Sequence, residues 1–273
     1  MSSLLGRAQV RELLRGRDIR PSKALGQSFV IDPNTVSRIV RLAEIEPSEE
    51  ILEIGAGLGS LTVGLAEAAQ RVVALEKDER LVALLREVVE GAAVEVVAGD
   101  ALKVDLGAFG ATKSVSNLPY SVASRVVLKV LFEAPRIGEL VVMVQKEAGH
   151  RLAAAPGTKV YGASSVLVAA HAHATILGGV SRRAFYPVPN VDSVVVRLVR
   201  HPAAEGAENL GDVVRAAFSQ RRKSLRNSLA SVAGSADAAA AALTAAGVAP
   251  QARAEELGLS EFESVGRALE DLR

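Results

Sequence analysis

The 273-residue sequence predicts an α/β fold with a mostly parallel sheet, followed by a smaller all-helical C-terminal domain. Three observations predict it. Apolar strands and amphipathic helices alternate from Glu50 to about Ala154, the rhythm of βα units whose right-handed crossovers build a parallel sheet. Two further strand patterns, Ala170 to Leu177 and Ser193 to Val199, then follow with only a loop between them, so the sheet is expected to end antiparallel. Beyond residue 201 every periodic segment is helical.

Taken in order, Ile51 to Ile54 reads as a strand and Ser60 to Ala69 as a helix. Arg71 to Glu76 is a strand, Asp78 to Val89 a helix and Val94 to Ala98 a strand. Lys113 to Ser116 is a short strand before the helix Ser121 to Phe132. Glu139 to Val144 is a strand before the helix Lys146 to Ala154. His201 to Glu208 is polar and rich in Ala and Gly, which sets the domain boundary: 1–200 for ligand binding and catalysis, 201–273 for the helical domain. Ala236 to Ala246 has the composition of a helix, ending near Gly247 and Pro250.

Composition narrows the function. Hydrophobic residues make up 49% and charged residues 23%, as in soluble globular chains. The absence of cysteine excludes disulfides, thiolate metal sites and cysteine nucleophiles. No apolar run has the length of a membrane span, so no membrane association is expected. Leu4 and Leu5 are followed by Arg7, Arg11 and Arg15, so no signal peptide is expected and a cytoplasmic location is. His171 and His173 share a strand face without further ligands nearby, so no metal is expected. Monomer is the default oligomeric expectation. The net charge of +1 hides local basic stretches at residues 7–23 and at 221–226, the pattern of an oriented contact with a polyanion.

The chemistry concentrates at strand ends. The first strand closes in Glu53-Ile-Gly55-Ala-Gly57-Leu-Gly59, where glycines let the backbone turn tightly and approach a ligand. Such a loop cradles either a dinucleotide pyrophosphate or the amino-acid part of S-adenosylmethionine. The dinucleotide pattern requires a glycine where Ser60 stands, which disfavours an NAD-dependent oxidoreductase. Glu76 closes the second strand, where a carboxylate accepts ribose hydroxyls in either cofactor class or simply caps the strand. Asp100 closes the third, where it accepts from an adenine amine or caps a turn. Asn117-Leu118-Pro119-Tyr120 follows the fourth strand and by composition alone reads as a turn.

These segments together resemble a known family. Asn117 to Tyr120 is similar to the signature of amino-methyltransferases acting on adenine. Lys23 to Asp32, Glu53 to Gly59, Gln145 to Glu147, Pro156 to Gly162, Phe185 to Ser193 and Phe218 to Leu229 resemble motifs of the KsgA family of small-subunit rRNA adenine dimethyltransferases. The likeness spans nearly the whole chain. It departs at Ser28, where the family usually carries asparagine, and at Val30, a conservative change.

The resemblance implies a Rossmann-like S-adenosylmethionine-dependent methyltransferase sheet that dimethylates N6 of adenosine, the substrate being small-subunit rRNA or a small-subunit precursor. It implies cofactor binding by Ser28, Val30, Gly55, Gly57, Glu76, Asp100 and Asn117. Asn117, Leu118, Pro119, Tyr120 and Phe185 are the implied catalytic residues. In this reading the Asn117 side-chain carbonyl and the Leu118 backbone carbonyl accept hydrogen bonds from the amine, Pro119 stiffens the turn, and Tyr120 and Phe185 sandwich the extruded base. Arg221, Arg222, Lys223 and Arg226 are the RNA-binding candidates. They are expected on one helix from Ser219 to Ser228, with Leu225 and Leu229 facing inward. Taken alone, such a helix suits RNA phosphates, a membrane surface or an acidic partner; the resemblance favours rRNA. The rivals are a related enzyme acting on large-subunit rRNA and an assembly factor that has lost catalysis.

Overall fold

The computed structural model describes residues 4–22, 26–202, 209–220 and 223–271. Lys23, most of the expected boundary loop (203–208), Arg221 and Arg222 lie outside the described residues. By their internal packing, residues 1–149 and 175–200 form one compact unit, and 150–174 and 201–273 form another. The sequence-based division at residue 201 kept 150–174 with the sheet; here they group with the C-terminal helices.

The chain opens with α1 (Arg7–Gly16), the two-residue strand β1 (Phe29–Val30) and α2 (Pro33–Leu42). None of these follows from the sequence pattern above. Asp32 caps α2 by accepting from the Asn34 and Thr35 backbone N–H groups, and Pro33 fills the first turn, where its missing donor costs nothing. The expected alternation follows: β2 (Glu50–Ile54), α3 (Ser60–Ala68), β3 (Arg71–Glu76), α4 (Glu79–Val88), β4 (Val94–Ala98), β5 (Lys113–Asn117), α5 (Ala123–Glu133), β6 (Glu139–Gln145) and α6 (Lys146–Leu152). A helix not read from the sequence, α7 (Ala163–Ala169), precedes β7 (Ala172–Val180), the short β8 (Phe185–Tyr186) and β9 (Ser193–Arg200).

The seven-stranded sheet runs β4-β3-β2-β5-β6-β9-β7, parallel from β4 to β6 and antiparallel between β6 and β9. From β2 the chain winds outward through β3 and β4, then returns to lay β5 on the other side of β2. That reversal leaves a crevice at the carboxyl ends of β2 and β5, the place where open α/β sheets bind ligands. The polar composition of β5 belongs to this junction. Backbone pairing with β2 covers Ile51–Lys113 and Leu52–Ser114. Further along, the Ile54 N–H donates to Ser116 Oγ (2.9 Å), and Ser114 Oγ donates to the Leu52 carbonyl (3.0 Å). Buried strand hydroxyls thus carry hydrogen bonds that the ladder does not make. Val115, Val141, Met143 and Val195 form the core with α2 and α3. The buried Lys113 ammonium at the opposite end of the sheet is satisfied by the Ala43 and Glu44 carbonyls and the Glu49 carboxylate.

The second unit continues with α8 (Leu210–Ser219), α9 (Leu225–Ser228), α10 (Ala230–Ala233), α11 (Ala236–Ala245) and α12 (Leu259–Asp271). Phe262 is fully buried, Phe218 packs between Tyr161 and Phe262, and the Tyr161 hydroxyl donates to the Leu257 carbonyl (2.9 Å). The single basic helix expected from Ser219 to Ser228 is not formed. α8 ends at Ser219, and α9 starts afresh at Leu225 after an extended Ser224. The cause is tertiary: the Leu225 and Arg226 N–H groups donate to the Ala252 and Pro250 carbonyls, far away in sequence. Leu225 and Leu229 are buried as expected.

Candidate active site

The glycine loop owes its course to backbone conformations that side chains resist. Gly55, Gly57 and Gly59 have φ of +77°, +60° and +87°. A Cβ on Gly55 would stand 3.1 Å from Pro119 Cδ, so the two turns flanking the crevice pack backbone against ring. A Cβ on Gly59 would come within 2.9 Å of Leu85 Cδ1, which holds α3 against α4. The Gly55 and Ala56 N–H groups both donate to the Leu75 carbonyl, tying the loop to β3.

Three carboxyl groups stand around the same cavity as this loop. Glu76, at the end of β3, is buried and accepts from the N–H groups of Gly57, Lys77 and Asp78, each at 2.8 Å. Burial pushes its pKa up, and these backbone donors pull against that rise. Asp100 accepts from the Leu102 N–H and pairs with Lys77 at 2.9 Å; the Lys77 ammonium lowers its pKa first, the backbone donor second. The third, Glu53, is fully buried in β2 and is absent from the site residues that the sequence points to. Burial raises its pKa to about 8, Thr62 works against the rise, and the Glu76 carboxyl adds to it. Glu53 Oε2 has no hydrogen-bond partner. Its signal in the sequence is an acid flanked by Leu52 and Ile54 near the end of a strand, two residues before the first glycine.

A cavity of about 530 Å³ joins these parts, within the usual range for small-molecule sites. Gly55, Gly57, Glu76, Asp100 and the whole Asn117–Tyr120 turn line it, as do Ser28 and Val30. Asn117 is the exceptional residue. Its Nδ2 donates a long bond to the Ser28 carbonyl (3.4 Å), and its Oδ1 is buried with no partner at all. A buried acceptor without a partner, on a residue that lines the cavity, is a costly feature that a ligand donor would satisfy. The Leu118 N–H donates to the Met143 carbonyl, which fixes the turn to β6. The half-buried Tyr120 hydroxyl shares a 2.9 Å hydrogen bond with Ser193 Oγ, and burial raises its pKa. Gln27, also missed by sequence reasoning, bonds Asp78 (2.9 Å) and braces the segment that carries Ser28.

Two expectations need correction in detail. Ser28 lines the cavity, but its hydroxyl donates to the Pro187 carbonyl (2.8 Å), so its side chain ties down the proline-rich loop. Phe185 does not line the cavity. Its ring is fully buried in the core with Val30, Val36 and Ile39, because β8 pairs with β1 and turns it inward. Tyr120 and Phe29, and not Phe185, are therefore the aromatic residues that line the cavity. In the second unit, Lys223 is exposed and Arg226 pairs with Asp237 at 2.7 Å. Among the described residues no helix is long and apolar enough to cross a membrane, and no cluster of three or more metal-ligating side chains exists.

The residues present fit S-adenosylmethionine. Gly55 and Gly57 line the cavity, Glu76 and Asp100 offer acceptors at adjacent strand ends, and Glu53 and Ser60 present buried oxygens without partners.

Known proteins share this layout. A family model described as ribosomal RNA adenine dimethylase matches residues 20–270. The chain is 49% identical over 269 residues to a protein of Leifsonia xyli subsp. xyli named ribosomal RNA small subunit methyltransferase A, covering 95% of this chain and 96% of that one. It is 48% identical over 274 residues to a protein of the same name from Streptomyces griseus subsp. griseus, covering 96% and 94%. Among solved structures, a dimethyladenosine transferase from Plasmodium falciparum superposes with a TM-score of 0.71 at 25% identity, over 86% of this chain and 94% of that one. The 23S rRNA methyltransferase ErmE superposes with a TM-score of 0.62 at 29% identity, over 89% and 99%.

Proposed function

The chain belongs to the ribosomal RNA adenine dimethylase family, and on that premise we propose that its Asn117–Tyr120 turn presents an extruded adenosine of small-subunit rRNA for methylation at N6. It is an S-adenosylmethionine-dependent rRNA adenine dimethyltransferase. The finer reading concerns two adjacent adenosines in a precursor of the small ribosomal subunit, each methylated twice by a monomeric cytoplasmic enzyme. The single observation that carries the assignment of the turn is the buried, unpartnered Asn117 Oδ1 at the wall of the cavity.

The chemistry asks for positioning above all. The exocyclic amine of adenine is a weak nucleophile, because its lone pair is delocalised into the ring. S-adenosylmethionine supplies a methyl group activated by its sulfonium. The Gly55–Gly59 loop and the positive end of α3 would hold its amino-acid part, Glu76 its ribose hydroxyls and Asp100 its adenine amine. Asn117 Oδ1 and the Leu118 carbonyl accept the two amine N–H groups. That orients the lone pair toward the methyl group, and both oxygens stabilise the positive charge that develops on nitrogen. Pro119, seated on Gly55, stops the turn from relaxing. Tyr120, braced by Ser193, stacks on the base, an interaction worth roughly 1–3 kcal/mol. The amine proton leaves to water. Phe185 has no part in the stack while its ring stays in the core. Lys223 and Arg226 are assigned to phosphate contacts of the second unit.

The test is transfer of labelled methyl groups to small subunits that lack the modification, followed by mapping of the label. Label in N6,N6-dimethyladenosine of the small-subunit rRNA is expected. Label confined to large-subunit rRNA, or none with cofactor bound, overturns the substrate assignment.

A further inference from the structure

A second cleft lies on the first unit, away from the cofactor cavity. It is built by the start of α1, the start of α2 and the segment Gly179–Ala184. Arg7, Arg38 and Arg183 line it. None of the three has a carboxylate partner among the described residues, whereas Arg17, Arg71, Arg80, Arg197 and Arg226 all do. Backbone carbonyls hold two of them instead. Arg38 donates to the Gly179 carbonyl at 2.7 Å, and Arg7 makes a long hydrogen bond to the Arg183 carbonyl at 3.4 Å. Arg7 and Arg38 are thus held by neutral acceptors, and the three guanidinium groups outweigh the single Asp32 carboxylate among the residues that line the cleft.

Three local features agree with this. Gly178 stands at φ +152°, and a Cβ there would run into the Arg38 guanidinium; glycine makes the seat for that side chain. Arg7 occupies the first turn of α1, which contains no acid, so a cation sits against the positive end of the helix dipole. Such local conflicts mark functional positions. The one acid in the cleft, Asp32, is engaged: its oxygens accept from the Asn34 and Thr35 N–H groups and the Thr35 hydroxyl.

Along the chain, the residues of the cleft directly follow those of the cavity. Ser28, Phe29 and Val30 line the cavity, and Ile31 and Asp32, next in the chain, line the cleft. Two extended residues span roughly 7 Å, the scale of one step along a nucleic-acid backbone. We propose that Arg7, Arg38 and Arg183 form a second anion site, which takes a phosphate of the rRNA strand flanking the adenosine held in the cavity. This rests on rRNA being the substrate.

The experiment compares wild type with Arg7→Ala/Arg183→Ala and with Arg38→Lys, all checked for unchanged thermal melting and S-adenosylmethionine affinity. Binding of a short single-stranded RNA and of unmethylated small subunits is measured against KCl concentration. The double variant should bind both RNAs roughly tenfold more weakly, and its salt slope should fall by about 0.7 for each phosphate that is no longer neutralised. Arg38→Lys keeps the charge and should keep the slope. Wild-type affinity and slope in the double variant, with subunits still methylated by wild type, overturn the cleft and leave the enzyme's function standing. Failure of wild type to methylate subunits sinks the function instead, while weakened short-RNA binding by the double variant still supports the cleft. Loss of retention on vesicles of anionic phospholipid, with RNA binding unchanged, overturns the cleft in favour of a membrane surface.

Discussion

Asn117→Ala should separate catalysis from stability. The side chain contributes one long hydrogen bond, and its carbonyl oxygen is buried without a partner. Removing an unsatisfied buried acceptor relieves about 1–3 kcal/mol. Losing the packing of its few atoms costs about 1–2 kcal/mol. The two largely cancel, so the unfolding free energy should change by no more than about 2 kcal/mol, measured by urea denaturation. The transition state loses an acceptor aimed at developing charge, an interaction whose removal typically slows reaction 10²–10³-fold, or about 2.7–4 kcal/mol. Single-turnover transfer of labelled methyl groups to unmethylated subunits reads that loss, and calorimetry should find cofactor affinity within a few-fold of wild type. Turnover within tenfold of wild type would remove Asn117 from the mechanism. A drop that merely tracks lost cofactor binding would make it a structural residue of the cavity.

Glu53→Gln tests the buried carboxyl. Because burial raises its pKa from 4.5 to about 8, the folded state holds a proton that the unfolded state releases. Its stability is fully present below the unfolded value and is lost as pH rises towards 8, at about 1.4 kcal/mol per pH unit. Urea unfolding between pH 6 and 8 should show a flatter dependence in the glutamine variant; equal slopes would contradict the assignment. Phe185→Leu keeps the core filled and should retain turnover within a few-fold, while Phe185→Ala should cost about 3–5 kcal/mol of stability. A collapse of activity in a stable leucine variant would return the ring to the base-stacking role. Gly59→Ala must hold a φ of +87° and push a Cβ against Leu85, so it should lower the melting temperature and weaken cofactor binding. An unchanged melting temperature would mean that α3 and α4 shift apart freely.

Local chemistry was legible in the chain itself. The strands and helices from Glu50 to Gln145 fall within a few residues of their expected bounds, because each is set by its own apolar periodicity and caps. Glycine at 55, 57 and 59 and the acids at 76 and 100 pointed to the turn and strand ends around the cavity, since backbone freedom and strand-end carboxylates are properties of single positions. Short elements were not legible. β1 and β8 have two residues each and exist through their mutual pairing, and α9 begins where distant carbonyls accept its first N–H groups.

The sequence by itself determined the alternating sheet, the glycine loop and the family, because those depend on patterns a few residues long. The tertiary structure decided which side chains face the cavity. It left the buried Asn117 Oδ1 without a partner, drew Ser28 to Pro187, turned Phe185 into the core and gathered Arg7, Arg38 and Arg183 around one cleft. Burial and orientation are set by neighbours brought together from across the chain, and a residue's identity carries no record of which neighbour it will meet.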